Sequence, residues 1–379
     1  GTSFSKEEIY AALGRANIVI QPLDDNQFVA VIPFSRIDIG EEADLSEEVI
    51  RIIGLEKVTS ILPVLATSVG GYTDEQQKRR DIRHYLTSRG LYETVNYTLV
   101  AKEQLESFRY LTSGEATRLL HPMTPEREYV RTDIINSLLT VGQYNVARQN
   151  RDFGLFEVSE IYDGDQHHTH LGIILVGDDL YQQQMHRIPY NFFHVKGYLE
   201  GVLKLLALDA NRYKIERLES TKEEFHPGRS AVIKLGKEVI GVFGELHPNA
   251  KKAYDFGKLP VVTLEVNLSK LFALKTSPIK MVATPRYPSV SRDLAIVIKE
   301  DVAVNDILRT IKKAGGYLVK QAEVFDVYVG EHIKAGYKSI ALSITYQDDN
   351  KTLVDKEINL AEDKIKGELY RLFAIELRK

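Results

Sequence analysis

Cysteine is absent from this chain of 379 residues, so it can form no disulfide, no thiolate metal site and no cysteine nucleophile. No run of about 18 apolar residues occurs, so we expect no membrane-spanning helix. The longest dense apolar stretch, 171–177, has the length of a strand. Residues 1–6 lack a cationic stretch followed by an apolar core, so no signal peptide is expected. Together these absences predict a soluble, cytoplasmic protein.

The motifs of common nucleotide-binding and hydrolytic sites are also missing. There is no Gly-x-x-x-x-Gly-Lys-Ser/Thr phosphate loop, no Rossmann glycine fingerprint after a strand, and no Gly-x-Ser-x-Gly elbow. We find no coherent set of base, nucleophile and anion stabiliser among the remaining residues. The sequence therefore gives no positive indication of catalysis, and we assign no catalytic residue.

An excess of positive charge is lacking as well. The chain has 49 Lys and Arg against 53 Asp and Glu, a formal net charge of -4. The last 97 residues are almost balanced, with 16 basic and 15 acidic side chains. A protein that binds nucleic acid through a broadly basic surface is therefore not expected. Any contact with RNA must therefore be confined to a small site and must depend on the shape of that site, because no broad positive charge assists it.

The apolar content of 44% is enough for two or three cores, and the chain separates into three segments. The first, 1–66, mixes a short helix, a strand at 28–32 and an acidic helix, and a loose linker at 66–71 follows it. The second, 67–280, opens with a helix for which Thr73 is the expected N-cap. Its many short strands predict an antiparallel α+β core.

The third segment, 281–379, reads strand, helix, strand, strand, helix, strand, which is the split βαβ pattern. In 340–346 Ile340 and its apolar partners alternate with small polar residues, so one sheet face should be buried and the other open. An open face is the usual RNA platform of this topology, although most such sheets bind other ligands or none. Thr352 and Asp355 predict the capping-box start of the last helix.

A cluster of four carboxylates is the most specific candidate for a binding site in the sequence. Asp44, Glu47 and Glu48 share one helix face at spacings of three and four, and Asp38 lies just before that helix. Clustered carboxylates repel unless a cation lies among them, and their hard oxygens suit magnesium. However, acids are favoured in a first helical turn and are usually solvated. The spacing alone leaves a metal site and a surface helix open, the surface helix being the commoner.

The histidines are expected to be structural. His167, His168 and His170 precede a strand, and we predict that they lie in a hydrated loop. His226 and His247 each stand before a proline, where they should anchor turns. Contacts to phosphate or a general-base role are the alternative for these last two.

Several motifs in order along the chain resemble the family of bacterial phenylalanyl-tRNA synthetase beta subunits. The first segment carries Arg36-Ile-Asp-Ile39, Asp44-Leu-Ser-Glu-Glu48 and Arg51-Ile-Ile-Gly54. The later motifs are His121-Pro-Met-Thr124, Asn191-Phe-Phe-His-Val-Lys-Gly197, Phe225-His-Pro-Gly228, Gly244-Glu-Leu-His-Pro248, Pro285-Arg-Tyr-Pro288, Ser291-Arg-Asp-Leu-Ala295 and Phe325-Asp-Val-Tyr328. The resemblance covers nearly the full length.

The resemblance implies an α+β fold with a class II synthetase-like antiparallel sheet core that has lost its active site. A small N-terminal α+β module and a C-terminal ferredoxin-like anticodon-binding domain would flank this core. The Phe-Arg-x-Glu motif and the glycine-rich motif ending in arginine, with which a working class II domain holds ATP, do not occur. The domains are accordingly predicted at 1–66, 67–280 and 281–379.

The resemblance also implies ligands and partners. Magnesium would be bound in a site shared with the catalytic alpha subunit, and ATP would be bound by that alpha subunit, in an assembly of two alpha and two beta subunits. The implied metal ligands are Asp38, Asp44, Glu47 and Glu48. The implied nucleic acid is the tRNA for phenylalanine, which the terminal sheet would contact at its anticodon.

Four residues of the terminal domain are predicted to contact tRNA. Arg286 and Arg292 flank the first strand and would engage backbone phosphates, Tyr328 would stack on a base, and Ser343 lies on the open face. The alternative for Arg292 is pairing with an acid, and for Tyr328 it is filling the core.

The leading functional hypothesis is therefore a non-catalytic beta-subunit portion of phenylalanine-tRNA ligase that scaffolds the alpha subunit and binds tRNA. An autonomous class II-like ligase acting on a small molecule is one alternative, and the missing ATP motifs disfavour it. An assembly scaffold without RNA contact is the other.

Overall fold

The computed structural model describes residues 2–179, 187–276, 281, 283–331 and 333–378. The chain divides into two compact units, of which the first ends at Arg80 and the second begins at Asp81. Within the described ranges, no helix is long and apolar enough to cross a membrane.

The first unit builds a small core from two helices and a hairpin. Its elements are α1 (Lys6–Arg15), β1 (Val19–Pro22), β2 (Phe28–Val31) and α2 (Glu42–Ile53). Leu13 of α1 and Val49 of α2 are buried, because the apolar stripe of each amphipathic helix faces the other elements. The stretch 58–73 has neither helix nor strand and is exposed, as predicted for a linker.

Helix α3 (Asp74–Ser88) begins where the sequence predicts. The Oγ1 atom of Thr73 accepts a hydrogen bond from the Gln76 amide at 3.2 Å, and the Gln76 side chain accepts one from the Thr73 amide at 2.9 Å. This capping box satisfies amides that have no partner within the helix. Ile82 and Leu86, one turn apart, are fully buried in the core of the second unit.

A seven-stranded sheet forms the centre of the second unit. The elements of this part are β3 (Tyr92–Glu93), β4 (Leu99–Val100), β5 (Tyr129–Val130), α4 (Ile135–Ala147), β6 (Phe153–Asp163), β7 (Gln166–Val176), α5 (Phe192–Leu205), β8 (Lys214–Arg217), β9 (Phe225–Leu235), β10 (Glu238–Leu246), α6 (Pro248–Ala253), β11 (Val261–Asn267) and α7 (Leu268–Phe272). The order of the strands in the sheet is β3-β6-β7-β11-β10-β9-β8, and every neighbouring pair is antiparallel except β3 and β6.

Both faces of this sheet are covered, which explains its continuous apolar strands. Along β7, Ile173 enters the core that contains α3 and α5, whereas Ile174 enters the core that contains α4. A strand that is buried on both faces carries apolar side chains at nearly every position, so apolar and polar residues do not alternate along it. The dense stretch at 171–177 is this strand and the turn after it.

The terminal part of the second unit has the predicted split βαβ order. Its elements are β12 (Val290–Lys299), α8 (Val304–Gly315), β13 (Val319–Tyr328), β14 (Tyr337–Tyr346), α9 (Asp355–Phe373) and β15 (Glu376–Leu377), with the antiparallel sheet order β13-β14-β12-β15. Ile340, Leu342 and Ile344 are buried with residues of α8 and α9, as the alternation predicted. The α+β fold class is therefore confirmed.

The start of α9 differs from the prediction. Val354 is the N-cap, and the Glu357 carboxylate accepts a hydrogen bond from the Val354 amide at 3.4 Å. The capping-box prediction at Thr352 and Asp355 was therefore wrong, because Thr352 lies two residues before the N-cap and the buried Leu353 stands between them.

Candidate metal and nucleic-acid sites

The acids predicted to hold magnesium are arranged around an arginine. Atom Nη2 of Arg36 lies 2.7 Å from Asp38 Oδ2 and 2.9 Å from Glu48 Oε1. Glu48 is also bound by Arg51 at 2.6 Å. These two guanidinium groups lower the pKa of the Glu48 carboxyl to about 2, with Arg36 as the larger cause. Two of the four predicted metal ligands, Asp38 and Glu48, thus already bind the same arginine.

The remaining two acids do not join that pair. Atom Oδ2 of Asp44 accepts hydrogen bonds from the amides of Gly40 and Glu41, each at 2.8 Å, and these amides lower its pKa. Glu47 is exposed on α2. Among the described residues no group of three or more acids, histidines or cysteines could hold a metal ion. The present arrangement does not fit a magnesium shell, because Arg36 lies where the carboxylates converge.

A buried polar network in the middle of the large sheet was missed from the sequence. Arg131 is 1% exposed, and its Nη2 atom donates to Glu157 Oε1 at 3.0 Å and to Ser159 Oγ at 2.6 Å. Glu157 on β6 and Glu265 on β11 both stand opposite Gly172 of β7. A signal was available in the sequence, namely charged residues at inward positions of otherwise apolar strands.

His167, His168 and His170 all lie in β7, so the prediction of a loop was wrong for all three, and His170 belongs to this network. It lies in β7, is fully buried, and its Nδ1 atom is 2.6 Å from Glu265 Oε1. Burial lowers the pKa of His170 to about 3 and raises the pKa of Glu265 to about 8. Burial thus favours the uncharged form of both side chains, which share one hydrogen bond. Because neither side chain reaches solvent, we interpret the pair as structural.

Of the two histidines that precede prolines, one anchors a turn as predicted and the other does not. His247 is the N-cap of α6, and its Nδ1 atom accepts from the Asn249 amide at 3.2 Å. His226 lies within β9, where the pairing with β10 is irregular, and its Nδ1 atom accepts a hydrogen bond from the Gly228 amide at 3.1 Å. The turn prediction for His226 was therefore wrong, although both rings satisfy backbone donors.

The open face of the terminal sheet contains two of the predicted tRNA contacts. Ser343 of β14 stands in register between Asp293 of β12 and Glu323 of β13. Tyr328 stands opposite Ser339, four residues before Ser343 and on the same face. The Tyr328 ring is 37% exposed, which is too open for a core residue and is compatible with stacking on a ligand.

Arg378 also reaches this open face, and sequence reasoning missed it. Its guanidinium carbon lies 5.8 Å from the centre of the Tyr328 ring, and it donates to Ser339 Oγ at 3.3 Å. Arg378 follows the two-residue strand β15, which pairs with β12. The contact between Arg378 and Tyr328 could be recognised only once this strand pairing was known.

The two predicted phosphate contacts lie elsewhere. Arg292 stands opposite Ile344, a residue of the buried face, and its Nη2 atom donates to Asp355 Oδ1 at 2.9 Å. Arg286 is exposed in the segment before β12. The structure thus brings Tyr328 and Ser343 to one face and directs Arg292 toward the start of α9. Pairing with an acid was the alternative considered for Arg292.

Three family models match consecutive parts of the chain. They are the tRNA synthetase B5 domain at 1–55, the phenylalanyl tRNA synthetase beta chain CLM domain at 58–268, and the ferredoxin-fold anticodon binding domain at 285–378. The CLM match alone extends over more than half of the chain. The chain belongs to the phenylalanyl-tRNA synthetase beta-chain family. The resemblance inferred from the motifs is confirmed.

Relatives named phenylalanine–tRNA ligase beta subunit match along the whole chain. Those of Geobacillus kaustophilus and Bacillus subtilis are both 35% identical over 100% of the chain, which covers 47% of each relative. That of Fusobacterium nucleatum is 33% identical over 97% of the chain and 48% of the relative. The chain therefore spans about half the length of the curated relatives it matches. A solved pyrrolysyl-tRNA synthetase from Desulfitobacterium hafniense aligns with 52% of this chain and 65% of its own, with a TM-score of 0.40 and 14% identity.

Proposed function

We propose that this chain is a non-catalytic portion of a phenylalanine–tRNA ligase beta subunit. It would scaffold a catalytic alpha subunit and bind tRNA during the ATP-dependent attachment of phenylalanine to tRNA. The observation that carries this proposal is the ferredoxin-fold anticodon-binding domain at 285–378, whose sheet leaves one face open. We assign domains to 1–66, 67–280 and 281–379 within the same proposal.

The open face suits recognition of bases better than recognition of phosphates. Asp293 and Glu323 flank Ser343 and would repel a phosphate, but their oxygens can accept hydrogen bonds from amino and imino groups of unpaired bases. Tyr328 offers a ring for stacking. Single-stranded loops are read through such contacts, which need little positive charge. This supports an anticodon contact despite the balanced charge of the domain.

The proposal includes partners that complete the enzyme. An alpha subunit would bind ATP and dock on this chain in an assembly of two alpha and two beta subunits, in the cytoplasm. Magnesium on Asp38, Asp44, Glu47 and Glu48 would need the alpha subunit as well, since Arg36 would first have to release Asp38 and Glu48. Arg286 and Arg292 remain proposed phosphate contacts, and Arg292 would have to leave Asp355.

The test compares Tyr328→Ala with Tyr370→Ala in the assembled enzyme. Tyr370 is a matched control because it is 69% exposed on α9, the helix side of the same domain. Loss of one stacked base weakens binding by about 1–3 kcal/mol, so Tyr328→Ala should bind cognate tRNA roughly 5- to 150-fold more weakly. The control should bind as the parent does. Unchanged discrimination between cognate tRNA and an anticodon variant in Tyr328→Ala would refute the base-reading role and favour a scaffold without RNA contact.

A further inference from the structure

A basic cleft lies between the middle and terminal parts of the second unit. Its volume is about 370 Å³, and it is lined by Asn211, Lys214, Arg309, Lys312 and Lys313. The last three residues project from one side of α8, because positions i, i+3 and i+4 share a helix face. Lys214 faces them from β8, so cations from two separate elements line the same cleft.

The positive charge of the basic cleft is not compensated by its surroundings. Among the residues that the structure describes, no carboxylate lines the cleft. The two acids whose pKa values respond to its lysines are already bound to other cations, Glu216 to Lys234 at 2.6 Å and Glu368 to Arg371 at 2.6 Å. Cations held together without acids create a local positive potential that favours an anionic ligand.

The lining residues indicate which anion fits. All five are polar, and a protein partner would need an apolar anchor at the centre of its contact. Exposed lysine side chains are flexible, and an arginine guanidinium group can donate two parallel hydrogen bonds. Both side chains are therefore suited to binding phosphate oxygens. Arg309 is half-buried, and its Nη2 atom lies 3.5 Å from the Tyr213 carbonyl oxygen, so its guanidinium group is positioned at the mouth of the cleft.

We propose that the basic cleft binds phosphodiester groups of an RNA backbone, as a second contact beside the open sheet face. This inference rests on the proposed function, since tRNA is the RNA concerned. Helix α8 packs on the buried face of the terminal sheet, so the cleft and the open face are separate surfaces. The cleft would supply salt-sensitive affinity, and the open face would supply discrimination between bases.

The experiment titrates the assembled enzyme with tRNA at several salt concentrations. Lys312→Ala/Lys313→Ala removes two cleft cations, and Lys252→Ala/Lys258→Ala removes two exposed lysines outside the cleft as a matched control. The cleft variant should bind about tenfold more weakly at low salt, and its slope of log affinity against log salt should fall by about two. The control should change neither quantity. Lys312→Arg/Lys313→Arg should keep the slope of the parent.

Other outcomes separate this inference from the proposed function. If the cleft variant keeps the same slope as the control, the RNA assignment is wrong. It is also wrong if the cleft of the parent binds pyrophosphate but the cleft variant binds tRNA as tightly as the parent does. If Tyr328→Ala keeps full discrimination while the cleft variant loses slope, the cleft stands and base reading at the open face fails. A parent enzyme that binds no tRNA overturns both.

Discussion

Two clusters of arginine and carboxylate side chains in this protein contain the same chemical groups, but the pKa of a carboxyl is lowered in one cluster and raised in the other. Around Arg36, 25% exposed, the neighbouring guanidinium groups lower the pKa of Glu48 to about 2. Near Arg131, 1% exposed, burial raises the pKa of Glu265 to about 8. Arginines that hydrogen-bond directly to Glu48 outweigh its burial, whereas desolvation outweighs the more distant charge of Arg131 at Glu265. A directly bound arginine therefore determines whether a buried carboxylate remains charged.

The two clusters also differ in whether another ligand can replace the arginine that is bound to the carboxylate. Asp38 is 60% exposed, so a partner or an ion can compete with Arg36 for it. Glu157 is 3% exposed and is held by Arg131 and by the Asn96 amide at 2.7 Å. Removing either partner of such a buried pair leaves a charge without compensation. The first cluster is suited to binding and the second to holding strands β6, β7 and β11 in place.

The largest effect is expected from Arg131→Met. This change keeps much of the side-chain volume but leaves the buried Glu157 and the half-buried Ser159 without the Arg131 donor. Breaking a buried pair in this way costs about 3–5 kcal/mol in the free energy of unfolding, measurable by urea denaturation. Arg83→Met is the control, because its partner Glu93 is 34% exposed, and it should cost much less. Equal losses in the two variants would mean that burial does not distinguish them.

This buried network shows where prediction from sequence stops. The alternation of Ile340, Leu342 and Ile344 predicted the buried face of a strand because that pattern is local. The pairing of Arg131 with Glu157 joins residues 26 positions apart, and that of Arg292 with Asp355 joins residues 63 apart. Such contacts depend on strand order and register, which no local pattern contains. For the same reason the four acids were recognised, whereas the pairing of Arg36 with Glu48 was not.

The next effect concerns the pH dependence of stability. With a pKa of about 8, folded Glu265 keeps a proton that the unfolded chain has lost above its ordinary value of 4.5. The folded state then binds more protons, so stability falls as pH rises toward 8. His170, whose pKa is lowered to about 3, acts in the opposite direction up to its ordinary value of 6.5. The fall is therefore clearest between pH 6.5 and 8, and amounts to about 2 kcal/mol.

Glu265→Gln tests this pH dependence, because the amide is neutral at every pH and still donates to His170. Urea denaturation at pH 6.5, 7.2 and 8 should show a falling free energy of unfolding in the parent and a flatter profile in the variant. The acid Asp133, whose pKa is also raised by burial, will leave part of the slope. Identical slopes in parent and variant would show that Glu265 is ionised throughout, and that burial is outweighed by Arg131.

The smallest effect on folding, and the most informative for binding, is expected from Arg36→Gln. Asp38 faces solvent and Glu48 keeps Arg51, so the unfolding midpoint without metal should hardly change. The two carboxylates would lose the cation between them and should then bind magnesium more tightly, which raises the midpoint as magnesium is added. Arg51→Gln removes one of the two cations at Glu48 and leaves Arg36 in place, so it should give a smaller response. Denaturation at 0 and 10 mM magnesium measures both. If Arg36→Gln shows no magnesium-dependent shift, Asp38 and Glu48 do not bind magnesium on this chain without the alpha subunit. If it unfolds as readily as Arg131→Met, exposure does not make the cluster exchangeable.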